Sequence, residues 1–354
     1  MRIIALYFPR LLNTPRAARP WRLARRLSLL LSLLLLTGAC RKDKDTQPAP
    51  VPEPTQFTAT PLVPAGGLVN PIGLSVDERG QAWVSESGTG QNDARVSLVT
   101  PDGRVFPVLT GFASVLSRGT PEGISHLLYR AGTLYVLEGG TGKLYTADVS
   151  AFRPGDPPRT ARGLPSEDIG SFVRAQNLTN PVNTNLYHLT FDPDSNLYIV
   201  DAGANAIIRR GKTTHALSVF ARLPNVTPTA ESVPTGIVYD GQQFLVSTLS
   251  GAPFVAQTAK LFQVNLAGAV SARPGGYTAM TGLVLSANNQ PLVLEYGQFA
   301  LSPPGWVART GRVANAAGAT LLDKLNLPTD LVRVNERTYY VLSFGDGSIQ
   351  KLTF

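Results

Sequence analysis

Two histidines and one aspartate, His126, His188 and Asp330, stand at equivalent places in a phrase that the chain repeats six times. Two imidazoles and a carboxylate around one opening could hold a divalent metal ion or serve as acid and base. Their spacing matches no ligand motif such as His-x-x-x-His. The same residues could instead be polar side chains hydrogen-bonded to loop backbone or internal water. We therefore expect no resident cofactor, with calcium or another divalent metal as the alternative.

Four carboxylates follow the second hydrophobic run of the repeats, and each precedes a loop containing glycine: Glu86, Glu138, Asp201 and Glu295. A carboxylate in that place commonly caps a tight turn by accepting bonds from backbone N–H groups. Because calcium prefers oxygen ligands, a calcium site is the alternative. We include these four residues with the histidines and Asp330 as candidates to line a central channel.

Three aromatic residues lie in two long loops rich in proline and glycine, 250–258 and 298–308. They are Phe254, Phe299 and Trp306. The two loops belong to adjacent repeats, so they should open on one face. An aromatic rim beside a polar channel suits a small molecule, a glycan or a peptide. Alternatively, these rings only pack the loops down.

The elements that must position these residues are short strands with a long period. The six copies of the phrase contain Pro71-Ile-Gly, Ile124-Ser-His, Leu186-Tyr-His, Pro234-Thr-Gly, Met280-Thr-Gly and Pro328-Thr-Asp. The third residues of these copies are 53, 62, 48, 46 and 48 positions apart. Each copy precedes a turn and a second hydrophobic run. This period predicts an all-β fold, a six-bladed β-propeller of four-stranded antiparallel blades over residues 56–354.

Two further elements complete the predicted ring. The sixth repeat has three strands before Phe354, and residues 57–63 have strand composition without a partner. We predict that this N-terminal strand closes the ring and removes an exposed edge. Residues 164–178 are predicted to form a short helical insertion on blade two or three, with Ser166 as its N-cap.

The N-terminus is typical of an exported lipoprotein. Residues 1–39 hold seven arginines, no acidic residue and an apolar run at 27–36, as in a signal peptide. Small residues directly before Cys40 resemble a bacterial lipobox, which implies that Cys40 becomes the lipidated first residue. Residues 40–55, with proline at every second position from 48 to 54, are predicted to form a semi-rigid tether. We expect a membrane-anchored protein of the bacterial cell envelope, periplasmic or surface-exposed.

Charge and cysteine content exclude several functions. The formal net charge is +8, and loss of the seven leader arginines leaves +1, so nucleic acid is not an expected partner. Cys40 is the only cysteine, which excludes disulfides, cysteine-ligated zinc and a thiol nucleophile.

Several stretches resemble the ScyD/ScyE family, exported TolB-like propellers named after the gene cluster for the cyanobacterial sunscreen scytonemin. They are Asn70-Pro-Ile-Gly-Leu, Val84-Ser-Glu-Ser-Gly-Thr-Gly, Leu197-Tyr-Ile-Val-Asp-Ala-Gly, Val233-Pro-Thr-Gly-Ile and Thr248-Leu-Ser-Gly-Ala-Pro-Phe. The resemblance covers residues 65–354. It implies a six-bladed propeller in the periplasm or outside the cell, and it brings no established reaction or substrate. Thr248 departs from the glutamate that similar sequences often carry there.

The leading hypothesis is a non-catalytic, lipid-anchored propeller that binds a small molecule, a glycan or a protein partner. A purely structural scaffold cannot be separated from it by sequence. The alternative is a metal-dependent hydrolase of the lactonase type, with His126, His188, Asp330 and either Glu86 or Glu138 at the channel mouth.

Replacing the lipidation site tests the predicted anchor. Cys40→Ser should move the protein from the membrane fraction to soluble or uncleaved forms, because no acyl chain can then be attached. Fractionation and mass spectrometry of the N-terminus measure this. A correctly cleaved variant that still sediments with membranes would show that lipidation is not the anchor.

Overall fold

The structure, a computed structural model, describes residues 50–117 and 119–354. Over these residues the chain forms six antiparallel β-blades, which confirms the predicted propeller. The predicted signal segment, Cys40 and the first part of the predicted tether lie outside the described residues. Within the described part, no helix combines the length and the hydropathy needed to cross a bilayer.

The first half of the ring holds a closing strand and three blades. In chain order its strands are β1 (Thr58–Val63), β2 (Pro71–Val76), β3 (Ala82–Glu86), β4 (Ala94–Val99), β5 (Val105–Phe112), β6 (Val115–Ser117), β7 (Thr120–Glu122), β8 (Ile124–Arg130), β9 (Thr133–Glu138), β10 (Lys143–Asp148), β11 (Arg159–Thr160), β12 (Ser166–Asp168), then after helix α1 (Ile169–Ala175) β13 (Leu186–Phe191), β14 (Leu197–Asp201), β15 (Ala206–Arg210) and β16 (Leu217–Arg222). Blade one is β2–β5 with β11 added in parallel at its edge, blade two is β8, β9, β10 and β12, and blade three is β13–β16.

The second half contains blades four to six. Its strands are β17 (Pro234–Tyr239), β18 (Phe244–Thr248), β19 (Phe262–Val264), β20 (Val270–Ala272), β21 (Met280–Leu285), β22 (Pro291–Glu295), β23 (Phe299–Leu301), β24 (Pro304–Trp306), β25 (Gly311–Asn315), β26 (Thr320–Leu325), β27 (Pro328–Arg333), β28 (Thr338–Ser343) and β29 (Ser348–Thr353). Blade four is β17–β20, blade five is β21, β22, β25 and β26, and blade six is β27–β29 with β1. The pairs β6–β7 and β23–β24 are separate hairpins in the loops.

Hydrophobic contacts between neighbouring blades form the core. The second strands β3, β14, β18 and β22 are buried at every position, because both faces of each blade are covered by neighbours. The described residues contain six buried apolar clusters, one for each blade-to-blade interface. At the first interface, Trp83 of blade one stacks on Tyr129 of blade two with ring centroids 5.6 Å apart. Alternating aliphatic and aromatic residues fit these two-sided surfaces.

The N-terminal strand closes the ring, as predicted. β1 pairs antiparallel with β29, with Thr58 opposite Thr353. Phe57, just before β1, is 4% exposed and packs edge-on against Tyr339 and Phe354. The end of the predicted tether also contacts the propeller, because the Glu53 carboxylate accepts hydrogen bonds from Ser286 and Asn288 of blade five.

The short helix begins two residues later than the sequence indicated. The prediction of Ser166 as N-cap was wrong: Asp168 caps α1, and its carboxylate accepts a 2.9 Å bond from the Ser171 N–H. Ser166 instead starts β12, the outer strand of blade two, where it lies opposite Tyr145. Strand pairing with the free edge of β10 therefore outweighs the local capping preference.

Two substitutions near the closing strand test its contribution to stability. Phe57→Ala should lower the free energy of unfolding by about 3–5 kcal/mol, because it opens a cavity in the interface between blades five and six. Thr60→Ala, at an exposed position of the same strand, should change it by no more than about 0.5 kcal/mol. Denaturant unfolding of both purified variants provides the comparison. Equal, small effects would mean that β1 is not an integral part of the ring.

Candidate functional site

A β-bulge at the start of every inner strand brings two successive residues to the channel. The pairing register shifts at this point in all six blades. The first residues of these pairs are Ile72, Ser125, Tyr187, Thr235, Thr281 and Thr329, and the second are Gly73, His126, His188, Gly236, Gly282 and Asp330. Bulges are known to redirect side chains beside functional sites. Here they create two layers of side chains around the axis.

The hydroxyls of the first layer connect neighbouring blades. Ser125, Thr281 and Thr329 each donate a hydrogen bond of 2.7–3.1 Å to the carbonyl of the first inner-strand residue in the next blade. Thr235 does the same toward Met280. Each hydroxyl uses its one O–H in this hydrogen bond, and its oxygen keeps lone pairs that can accept another. The first layer is therefore an acceptor-rich surface.

The second layer contains the two histidines and the aspartate, and we call these three residues the axial cluster. One ligand atom from each of His126, His188 and Asp330 lies within 4.8 Å of the others. Nε2 of His126 is 3.6 Å from Oδ2 of Asp330, and the two imidazole centroids are 4.7 Å apart. Both carboxylate oxygens of Asp330 accept backbone bonds, from Leu74 at 2.7 Å and Leu331 at 2.8 Å. The structure thus brings together the three residues that the sequence placed at equivalent positions.

Glycine in the neighbouring blade makes room for the axial cluster. A Cβ on Gly73 would lie 2.6 Å from Cα of His126 and 2.8 Å from Oγ of Ser85. Such contacts are too close for any larger residue without moving backbone. The inner strands of blades one and two therefore approach one another more closely than a side chain would permit.

Burial sets the protonation of the cluster. It raises the pKa of Asp330 to about 7, although the two N–H bonds oppose this shift. It lowers the pKa of His188 to about 4. Burial also lowers the pKa of His126, and the nearby His188 lowers it further. The backbone carbonyls of Tyr187 and Thr329 oppose this shift, although neither accepts a hydrogen bond from His126. Both imidazoles are therefore neutral at pH 7, and each carries one nitrogen lone pair.

The buried imidazoles lack hydrogen-bond partners. Nδ1 and Nε2 of His126 and Nδ1 of His188 are inaccessible and unpaired among the described residues. His126 is 1% exposed. His188 retains some accessible area although protein surrounds it deeply, so we infer that this area faces the channel. An unpaired buried polar atom costs about 1–3 kcal/mol, so these nitrogens require an explanation.

Two of the four predicted carboxylates are held in ion pairs within their own blades. Glu86 receives two 2.8 Å bonds from the Arg95 guanidinium, and Glu295 receives two 2.8 Å bonds from Arg312. Glu86 also accepts a bond from the backbone N–H of Val69. These bidentate contacts hold the second strand to the third strand in blades one and five.

The other two carboxylates cap turns. Asp201 accepts bonds of 2.7–3.0 Å from the N–H groups of Asn185, Gly203 and Ala204. Glu138 accepts hydrogen bonds from the hydroxyls of Thr141 and Tyr145. None of the four carboxylates belongs to the axial cluster among the residues that the structure describes.

A cavity of about 810 Å³ opens on the face where the inner strands begin. Residues from all six blades line it, and the first-layer residues Ser125, Tyr187, Thr281 and Thr329 are among them. The polar lining groups are mainly uncharged hydroxyls and amides, with one carboxylate at Glu122. Tyr187 connects the cavity with the axial cluster, because its ring lies 4.7 Å from that of His126.

The predicted aromatic residues form one cluster beside this cavity. Phe254, Phe299 and Trp306 pack against one another with centroids 4.9–5.1 Å apart. Of these three, Trp306 is a lining residue, and it contacts Tyr296 edge-on at 4.9 Å. Burial raises the pKa of Tyr296 to about 12, so its hydroxyl keeps its proton.

Sequence reasoning missed Tyr187, Tyr296 and the β6–β7 hairpin as parts of the site. Each tyrosine is adjacent to a residue that the repeat alignment had identified, His188 or Glu295. Tyr187 is the middle residue of the repeated phrase in blade three, and Tyr296 directly follows Glu295, so the position beside each candidate residue is the signal that finds both. The hairpin contributes Ser117, Thr120 and Glu122 to the lining, but it interrupts the repeat pattern and gives no periodic signal.

No protein-family model and no curated protein matches the chain. Solved structures share its fold. A PQQ-bound aldose sugar dehydrogenase from Streptomyces coelicolor aligns at TM-score 0.56 and 12% identity, covering 85% of this chain and 99% of that one. A Bacteroides thetaiotaomicron protein of unknown function aligns at 0.54 and 14%, covering 84% and 76%. A streptogramin B lyase aligns at 0.52 and 12%, covering 85% and 99%. Identities this low establish the propeller fold alone.

Neutralising one second-strand carboxylate tests whether it is structural. Glu86→Gln should lower the free energy of unfolding by about 3 kcal/mol, because it breaks an ion pair whose acid is fully buried. Asp102→Asn is the matched control, since the Asp102–Arg104 pair is exposed at both ends, and it should not change the unfolding midpoint. Thermal and denaturant unfolding measure both. If Glu86→Gln is more stable than the parent protein, the negative charge of Glu86 is retained for function rather than for stability.

Proposed function

We propose that this protein is a lipid-anchored, extracytoplasmic β-propeller that binds a neutral ligand rich in hydroxyl groups, such as a glycan, in its central cavity. The observation that carries the proposal is the lining of the 810 Å³ cavity, which combines an aromatic wall with hydroxyl and amide groups. The anchor and the export remain inferences from the N-terminal sequence, and the resemblance to the exported ScyD/ScyE family supports them.

The chemistry of the lining favours ligands that donate hydrogen bonds. Ser125, Thr281 and Thr329 commit their protons to backbone carbonyls. Toward the cavity they therefore offer acceptor lone pairs, and the Glu122 carboxylate does the same. A carbohydrate supplies several O–H donors at its edges. Its C–H faces suit the rings of Trp306 and Tyr296, since binding sites commonly combine apolar surfaces with a few well-placed polar groups.

The exposed apolar side chains also favour this face. Seven large hydrophobic residues are exposed among the described residues, and six of them belong to loops on the cavity side: Val115, Leu116, Val182, Val255, Leu301 and Val307. These loops precede inner strands or follow second strands, so they lie at the same end of the blades as the bulges. Their concentration at one end of the blades supports placing the interaction site at this end, since exposed apolar surface that collects on one face commonly marks such a site.

A metal-dependent hydrolase is the second candidate, and the axial cluster is the observation that favours it. Catalysis would require substrate to reach His126, His188 and Asp330. None of these three is among the lining residues of the cavity, whereas Tyr187, which packs on His126, is. We therefore rank binding above hydrolysis. Hydrolysis of a simple lactone by the purified protein, lost in Asp330→Asn, would reverse that order.

Direct titration with neutral oligosaccharides tests the binding proposal. The probes are the trisaccharides of the cellulose, starch, xylan and chitin series, followed by calorimetry and by tryptophan fluorescence. In protein that lacks residues 1–39, which include Trp21, the responsive signal comes from Trp306, because Trp83 is 3% exposed within the blade interface. We expect Trp306→Ala to weaken binding at least about tenfold, because truncating a large aromatic side chain that packs against the ligand typically costs more than about 1 kcal/mol.

Leu266→Ala is the matched control for this experiment. Leu266 lies in the turn between β19 and β20, away from the cavity face, and is 59% exposed, and it does not line the cavity. Its substitution should leave the affinity unchanged. Failure of every trisaccharide to bind at millimolar concentration, or equal affinity of Trp306→Ala and the parent protein, would contradict the proposal.

A further inference from the structure

We propose that His126, His188 and Asp330 bind one divalent transition-metal ion on the propeller axis, with zinc as the best match to the donor set. The site is separate from the ligand function proposed above, because its three side chains do not line the cavity. Each residue comes from a different blade, namely two, three and six.

Unpaired nitrogens are the first reason for this assignment. Three of the four imidazole nitrogens in the cluster are buried without a hydrogen-bond partner among the described residues. They lie beside the buried carboxylate of Asp330, whose basic neighbour among the described residues is the His126 imidazole, at 3.6 Å. A divalent cation would occupy one lone pair of each histidine and balance the carboxylate charge. One ion would therefore satisfy at most two of the three unpaired nitrogens, together with the carboxylate.

The donor set is the second reason. Two imidazole nitrogens and one carboxylate oxygen suit zinc and its neighbours, whereas calcium takes oxygen ligands only. Two ligands of a tetrahedral zinc ion lie roughly 3.4 Å apart, given metal–ligand distances of about 2.0–2.1 Å. The 3.6 Å between His126 and Asp330 is close to that spacing, and the full set lies within 4.8 Å. Small side-chain rotations would bring the three ligand atoms to the spacing of a zinc site.

Backbone hydrogen bonds already hold the Asp330 carboxylate in place. A metal-ligating carboxylate is usually held by other hydrogen bonds, which fix its orientation. Asp330 has two such bonds, from Leu74 of blade one and from Leu331 of its own strand. A bound ion would thereby connect blades two, three and six directly and blade one through the backbone of Leu74. Its expected role is to fix the inner strands around the axis.

Metal analysis of untagged protein tests the inference. We expect about one zinc per chain by elemental analysis. After removal by a chelator, cobalt(II) should restore the site and give visible absorption bands of a tetrahedral nitrogen–oxygen complex. Zinc should raise the thermal unfolding midpoint of the stripped protein, because it binds the folded state. None of these measurements requires the carbohydrate ligand or an enzymatic activity.

Histidine variants identify the ligands. His126→Gln and His188→Gln should each weaken metal binding by more than roughly 10–100-fold, the loss typical when a residue that only hydrogen-bonds to a metal ligand is changed. His215→Gln is the control, since the chain has three histidines and this one is exposed beside Glu167; it should bind metal like the parent. If a variant does not fold, the stripped parent protein still decides the question. Absence of any zinc-induced or cobalt-induced change in the parent, or unchanged binding in both variants, would overturn the assignment.

Discussion

The structure depends on one constraint: each blade is buried on both faces, and only a closed ring can bury them all. The six apolar clusters lie between blades rather than within them. A blade therefore obtains most of its stabilisation from its two neighbours. Opening the ring anywhere would expose two such faces at once, along with an unpaired strand edge. The pairing of β1 with β29 and the packing of Phe57 prevent this.

Closure also determines what the axis can contain. Six inner strands converge there, and three of them carry glycine at the second bulge position. At Gly73 the contact with His126 leaves no space for a larger residue. The remaining three positions carry the axial cluster, which fills the channel with polar groups. The adjacent layer supplies hydroxyls that bridge neighbouring blades and line the cavity. The packing of the ring and the chemistry of the site therefore depend on the same residues, those at the first and second bulge positions of the six inner strands.

The sequence predicted what is periodic and missed what depends on contacts between distant elements. Blade number, inner and second strands and the closing strand followed from a repeated phrase, because two-sided burial imposes the same pattern in every blade. Asp168, and not the predicted Ser166, caps the helix, because Ser166 pairs with β10. Local sequence preferences cannot predict such a contact. The sequence also identified Trp306, but it could not show that Phe254 and Phe299 pack behind it. Arg95 and Arg312 are partners of Glu86 and Glu295 through strand register, which a count of charges does not reveal.

The central claim is that the cavity on the bulge face is the binding site of this propeller. A crystal structure of the propeller, residues 50–354, with its tightest-binding trisaccharide tests it most directly. A sugar ring should lie against Trp306, with ligand hydroxyls donating hydrogen bonds to the oxygens of Ser125, Thr281 or Thr329. A trisaccharide bound on the opposite face, or on an outer blade edge with the cavity left free of ligand, would contradict it.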